Sequence, residues 1–149
     1  MKNNISGYIN LRQFNGSTLS STLQNLVMRD FCIKNGFTFN ISPSEFIFNN
    51  SYTQLNSLLN SKSISGVVMC SIFMLPKNIK ERLKLYKLAN KNKKKMYFVF
   101  EKISVLKLKD FNQIEELFFM RSIFKKNSDK ILDKKYQKNL KVQKKWSFC

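Results

Sequence analysis

The chain has 149 residues, 43% of them apolar, and a formal charge of +18 from 27 basic and nine acidic side chains. That is enough apolar material for one hydrophobic core, too short a chain for two, and too hydrophobic for a chain that stays disordered. Histidine is absent and Cys32, Cys70 and Cys149 form no CxxC spacing, so a zinc-site pattern and a histidine-dependent triad are excluded, and no metal or cofactor is expected.

No signal-like apolar segment follows the opening MKNNISGY. The most apolar run, Val67 to Leu75, is interrupted by Ser71 and is far too short to span a membrane, so a cytoplasmic address is expected. Residues 5–11, ISGYINL, read as a strand with a polar break at Ser6, and Asn15-Gly16 is a turn signal. A helix follows from about Leu19 to Asn35, with Leu19, Leu23, Leu26, Val27, Asp30 and Phe31 near one face. Ser21 with Gln24 fits a capping box if this helix starts slightly later, and Gly36 is a natural stop. Phe37 to Ile41 alternates as a second strand, and Pro43 in the connection SPSEF forbids a continuing central strand.

Ser51 is placed to cap a short helix running to Asn60, with Gln54 three positions on and Tyr52, Leu55, Leu58 and Leu59 as its apolar side. Val67 to Phe73 does not alternate and suits a central strand covered on both faces. Pro76 marks the start of a third helix, in which Ile79, Leu83, Tyr86 and Asn90 follow the helical repeat and Lys91 to Lys95 close the C-terminus. Met96 to Phe100 is a fourth strand. Asp110 then precedes FNQIEELFFMRSIF, an amphipathic helix with Phe111, Ile114, Leu117 or Phe118, and Arg121 on neighbouring turns.

Four strands separated by three helices and followed by a fourth predict a single three-layer α/β domain, with a mostly parallel four-stranded sheet. The core is expected over 1–124. Residues 125–149 form a Lys-rich extension, either a basic helix or, in preference, an exposed tail. The charge follows that division: residues 77–149 carry 22 basic and seven acidic side chains, against five and two in residues 1–76. Since 23 of the 27 basic residues are Lys and 17 Asn accompany them, a compositional bias accounts for much of the charge. Nonspecific attraction to polyanions is expected, and attraction is not recognition.

In an open parallel sheet the ligand crevice lies beyond the C-terminal strand ends. That rule collects Asn10, Arg12, Asn15 and Gly16 after the first strand and Ser42, Ser44 and Glu45 after the second. The third contributes Ser71 and the helix start near Lys77, and the fourth contributes Glu101. Arg12 with amides at a helix start can hold a phosphate or carboxylate, and Glu45 or Glu101 can act as acid or base if its environment tunes it. Gln24, Asn25, Arg29 and Asp30 on the first helix can instead make an internal polar network. Gly16 stands alone, so no glycine-rich phosphate loop is present.

The segments GYINLRQFNG, LQNLVMRDFC, ISPSEFIFNNSYTQL, GVVMCSIFMLP and FVFEKISV, spaced over residues 5–120, resemble the small bacterial proteins called sporadic carbohydrate cluster proteins. Those occur among genes for lipopolysaccharide O-antigen and other surface polysaccharides. The resemblance carries over Tyr8, Arg12, Asn15, Gly16, Gln24, Asn25, Arg29, Asp30, Cys32, Ser44, Glu45, Leu75, Pro76 and Arg82. It implies a protein of surface-polysaccharide biosynthesis that binds or acts on a sugar or nucleotide-sugar intermediate. Alternatively it implies a non-enzymatic regulatory or scaffold partner of a protein in that pathway; turnover and homo-oligomerisation are left open.

The chain also resembles, more distantly, the catalytic domain of serine recombinases, which opens on a GYxRxS-like strand and later has an Asp-Arg-Leu-x-Arg pattern. In GYINLR, Asn10 stands where that Arg is expected and Arg12 where the nucleophilic Ser is expected. In SIFMLPK, Phe73, Met74 and Lys77 stand where Asp, Arg and Arg are expected. Strand cleavage needs the hydroxyl and the cationic clamps. The likeness therefore implies a shared scaffold, resolvase-like or flavodoxin-like, and a DNA-binding protein with recombination lost.

Overall fold

The structure, a computed structural model, describes residues 3–13, 16–48 and 50–146, with side chains described up to residue 131 and at 134. The elements in chain order are β1 (Asn4–Gly7), α1 (Ser21–Lys34), β2 (Thr38–Asn40), α2 (Thr53–Asn60), β3 (Gly66–Met69), α3 (Ile79–Lys91), β4 (Lys95–Phe98), β5 (Ile103–Val105) and α4 (Phe111–Trp146), with 3-10 turns at Ile72–Met74 and Leu108–Asp110. The strands form one sheet in the order β2-β1-β3-β4-β5. The first four are parallel and β5 runs antiparallel to β4. The expected four strands are therefore five. Phe100 to Lys102 form a turn, with Lys102 at φ 55°, and Ile103–Val105 fold back on β4; three residues are too few to show an alternation in the sequence.

Right-handed crossovers put α1 on one face of this sheet and α2 and α3 on the other. On the α1 side Phe31, Phe37 and Tyr97 cluster, with Tyr97 5.5 and 5.2 Å from the other two rings. On the other side Asn92, which caps α3, donates to the Leu59 carbonyl of α2 at 2.8 Å. Tyr86 of α3 stacks on Phe111 with centroids 3.9 Å apart. All four residues of β3, GVVM, are buried, as a central strand covered on both faces requires.

Two helix faces differ from the periodicity reading. The buried residues of α1 are Gln24, Met28 and Cys32, one residue per turn, while Leu23 and Leu26 are exposed. Apolar residues surround this helix on all sides, so spacing alone did not select a face. The buried face of α3 is Arg82, Leu85, Tyr86 and Ala89, with Ile79 and Leu83 exposed. Here a charged residue occupies a core position: the Arg82 Nη1 donates to the carbonyls of Pro76 (2.9 Å) and Lys77 (2.8 Å).

The caps also differ. Ser20, not Ser21, caps α1 by accepting from Leu23 N, and Asn78, not Pro76, precedes the first turn of α3. Gly36 does end α1, at φ 69°. Its amide bonds Ile33 O and that of Phe37 bonds Cys32 O, the paired bonds of a Schellman motif.

The chain divides into two compact units, residues up to Phe111 and residues from Asn112 on. The second unit is helical through Trp146, so residues 125–146, where an exposed tail is expected in preference to a basic helix, are helix, and position 124/125 lies inside it. At about 1.5 Å per residue its 36 residues extend about 54 Å. Phe111–Trp146 carries ten basic and four acidic side chains. Among the described residues no helix is long and apolar enough to cross a membrane.

Candidate functional site

Strand β1 lies between β2 and β3, so the chain leaves it to one side and returns to the other. Loops leaving β1 and β3 therefore diverge, and a crevice opens at their C-terminal ends. It is a cleft of about 610 Å³ lined by the loop after β1 (Asn10 to Gln13), the loop after β3 (Phe73 to Leu75, and Lys77), and Ile47, Asn50 and Tyr52 from the segment before α2.

Asn10, 3% exposed, organises the floor of the cleft. Its Nδ2 donates to Met74 O at 3.2 Å and joins the two loops. Its Oδ1 accepts from Arg12 N at 3.0 Å and Arg12 Nε at 3.2 Å, which fixes the arginine's direction. The guanidinium then donates to Phe48 O (3.3 Å) and Ser51 O (2.8 Å) and lies 4.3 Å over the Tyr52 ring. Its described partners are carbonyl oxygens and an aromatic face, and none is a carboxylate. The charge is oriented by neutral partners, and Lys77 also lines the cleft.

Gln24 holds the loop from behind. Fully buried on α1, it accepts from Asn10 N at 3.1 Å and donates to Asn10 O and Leu19 O, both at 2.9 Å. Gln24 was reached from the sequence as a polar-network residue. Its buried position was not, because the capping-box spacing places it near the helix start whichever way it points.

Glu45, 4% exposed, accepts from Tyr8 Oη (3.2 Å), Phe46 N (3.1 Å), Ser51 Oγ (3.3 Å), Gln54 N (3.0 Å) and Leu55 N (3.2 Å). Thus α2 is capped by this remote carboxylate and Ser51 is spent on Glu45, which corrects the cap expected from Ser51. Tyr8 is fully buried, and its hydroxyl is held protonated well above the ordinary phenol range by burial first and then by the charge of Glu45, with Arg12 opposing. Glu101, in the turn between β4 and β5, accepts from Ser71 Oγ at 2.6 Å and Ile72 N at 3.1 Å. Ser71 Oγ in turn accepts from Phe73 N at 3.2 Å, so the pair shapes the 3-10 turn that carries Phe73 and Met74 into the cleft wall. Neither Glu45 nor Glu101 lines the cleft.

The other candidates scatter. Ser44 is exposed and its backbone bridges Ile9. Gly16 has φ 75°, and Asn15 lies outside the described residues, as does Cys149. Arg29 faces a second cleft of about 520 Å³ with Asn25, Phe39, Asn40, Ile41 and Ser42. The thiols of Cys32 and Cys70 are pushed up to about 11 and about 12 by burial, with the Glu101 charge adding to the second, so both are protonated at neutral pH.

Tyr52 and Phe48 were missed as site residues, because both belong to the connection and helix start read only for capping and apolar spacing. Burial raises the Tyr52 hydroxyl, and the opposing charges of Arg12 and Glu45 act in that order after it. Among the described lining residues of the main cleft there is no Ser, Thr, Cys, Asp or Glu. The arrangement can bind and orient an anion against apolar and aromatic surface.

No family model matches this chain, and no curated protein sequence does. Solved structures do. The chain is similar to the N-terminal catalytic domain of TP901-1 integrase, with TM-score 0.62, 13% identity, and coverage of 85% of this chain and 98% of that one. It is similar also to a resolvase family site-specific recombinase from Streptococcus pneumoniae, with TM-score 0.60, 17% identity, and coverage of 85% and 90%. At these identities the likeness is one of fold: this is an α/β three-layer domain that resembles the resolvase and integrase catalytic fold.

Proposed function

We propose that this chain binds nucleic acid through its recombinase-like core without breaking strands, seating a backbone phosphate between Arg12 and Lys77. One observation carries the reading: Arg12 is aimed by Asn10 into a cleft at the sheet reversal whose described lining residues include two basic side chains and no acidic one. Phosphate suits a planar guanidinium held in one direction. Integrase and site-specific recombinase folds as structural relatives support a nucleic-acid ligand. Arg12 occupies the position at which the recombinase pattern has its serine, and no Ser or Thr is among the described lining residues, which favours holding a phosphodiester over attacking it. Glu45 and Glu101 act as backbone acceptors that keep the cleft in shape. The lysine-rich residues from 125 on form an extension that adds nonspecific attraction.

The test is anisotropy of labelled DNA across a salt series. Arg12→Ala/Lys77→Ala is expected to weaken binding uniformly across sequences and to lower the salt slope by about 1 to 2, with no cleaved or covalently linked product from either protein. The exposed pair Lys80→Ala/Lys87→Ala on α3 serves as the charge-matched control. Equal losses in the two double variants would refute a phosphate site at the cleft.

A second reading is favoured by one feature, the cleft volume of about 610 Å³, which lies in the range of small-ligand sites. In it Arg12 holds the phosphate of a sugar or nucleotide-sugar intermediate of surface-polysaccharide biosynthesis and Tyr52 or Phe73 covers its ring. A rise in melting temperature with one nucleotide sugar, absent in Arg12→Ala, supports this reading over DNA; no shift across a panel removes it.

A further inference from the structure

We infer that the nucleic acid bound at this cleft is single-stranded, with unpaired bases stacking on Phe46 and Phe48; the inference rests on the phosphate reading of the Arg12 cleft. The loop between Glu45 and Ser51 presents three large apolar side chains in succession. Phe46 is 48% exposed, Ile47 74% and Phe48 75%. Three such residues at a loop tip are costly to leave in water unless they meet a partner. The two rings lie beside each other with centroids 6.4 Å apart, and Ile47 lines the cleft itself.

The loop is held at both ends, and at one of them by the phosphate site itself. Glu45 accepts from Phe46 N at 3.1 Å and Arg12 donates to Phe48 O at 3.3 Å. The same guanidinium that faces the cleft therefore sets the position of the aromatic pair. A cationic groove flanked by exposed aromatic rings is the arrangement that takes single strands, because each nucleotide offers a phosphate and an unpaired base face together. A duplex offers base faces only at its ends, so it would use the cations and leave the rings idle. Charge complementarity selects a polyanion for the apolar tip: Arg12 and Lys77 line the adjoining cleft and, among the described lining residues, no acidic one does.

The experiment compares a fluorescein-labelled oligothymidine with a duplex of equal total charge, using the full chain and Phe46→Ala/Phe48→Ala. Both side chains are exposed, so the variant should melt as the parent does. The parent is expected to prefer the single strand. The variant should lose about tenfold or more in affinity for it, with duplex binding and the salt slope unchanged. Equal affinity of the parent for both forms, with no effect of the variant, overturns the inference. If Arg12→Ala/Lys77→Ala still weakens both forms relative to its lysine control, the phosphate reading survives that failure; if it does not, both fall. Sedimentation of the parent, but not of Phe46→Ala/Phe48→Ala, with phosphatidylserine vesicles, together with no preference for single strands, assigns the loop to a lipid surface and also overturns the inference.

Discussion

Gln24 pairs with Asn10 through both ends of its side-chain amide, accepting from Asn10 N at 3.1 Å and donating to Asn10 O at 2.9 Å. A helix side chain thereby does for one residue what a neighbouring strand would do, just beyond the point where β1 has left the sheet. The backbone of Asn10 is satisfied without a strand partner, and its side chain is released to aim Arg12 and to hold Met74.

Gln24→Leu keeps the side chain's size and removes all three of its bonds, to Asn10 N, Asn10 O and Leu19 O. The two buried backbone groups of Asn10 are left without partners, each costing about 1 to 3 kcal/mol, so a loss on the order of 2 to 4 kcal/mol is expected in urea unfolding. The cleft should also lose its grip on ligand, since the loop carrying Arg12 is released. A variant as stable as the parent would mean that water replaces the amide.

Glu45→Gln tests the joint between the two halves of the cleft. Its carboxylate receives the α2 amides Gln54 N and Leu55 N, the Ser51 hydroxyl and Phe46 N. An amide in its place turns one acceptor into a donor facing N–H groups, and hydrogen bonds to a charged acceptor are worth about 1.5 to 3 kcal/mol each. A drop on the order of 2 to 4 kcal/mol is expected in chemical denaturation, accompanied by weaker DNA binding even though Glu45 does not line the cleft.

Lys93 has φ 53° in the position after the α3 cap, where its amide bonds Asn90 O and the next amide bonds Ala89 O. That is the Schellman arrangement which Gly36 makes after α1, here built with a side chain that the left-handed region disfavours. Lys93→Gly should therefore stabilise the fold, by about 0.5 to 1 kcal/mol after the greater freedom of glycine in the unfolded chain is counted. A thermal melt decides it. Gly66→Ala should do the opposite, because a Cβ there would stand 2.6 Å from the Lys95 carbonyl oxygen in the adjacent strand.

Asp110 accepts from Leu106 N at 2.9 Å and Lys107 N at 2.8 Å, and these two bonds, in that order, hold its carboxyl below the ordinary value of 3.8. A carboxyl depressed by folding adds stability above its unfolded pKa and loses it as pH falls through the lower folded one. The stability difference between the parent and Asp110→Ala should thus be flat at neutral pH and shrink only below about pH 4. A difference that grew on acidification would reverse the assignment.

Much of the fold was legible in the residues. Four of the five strands and all four helices follow from apolar runs and turn chemistry, and Gly36 ends its helix as glycine's freedom at positive φ predicts. Their separation by helices was enough to expect parallel pairing, and the rule that ligands sit beyond strand ends brought Asn10 and Arg12 forward. What the residues could not show was direction. Leu23 and Leu26 are as apolar as Met28 and Cys32, so periodicity could not say which face of α1 is buried. Gln24 was open to a capping role or an internal network, and Arg82 came only with a family resemblance; the buried position of each, and the carbonyls it meets, belong to the tertiary structure. Glu45 and Glu101 had the chemistry of acids and bases, and only tertiary contacts turned them toward backbone amides. The sheet order decided the rest: β1 between β2 and β3 makes the crevice, and a short sequence segment carries no record of which strands will be its neighbours.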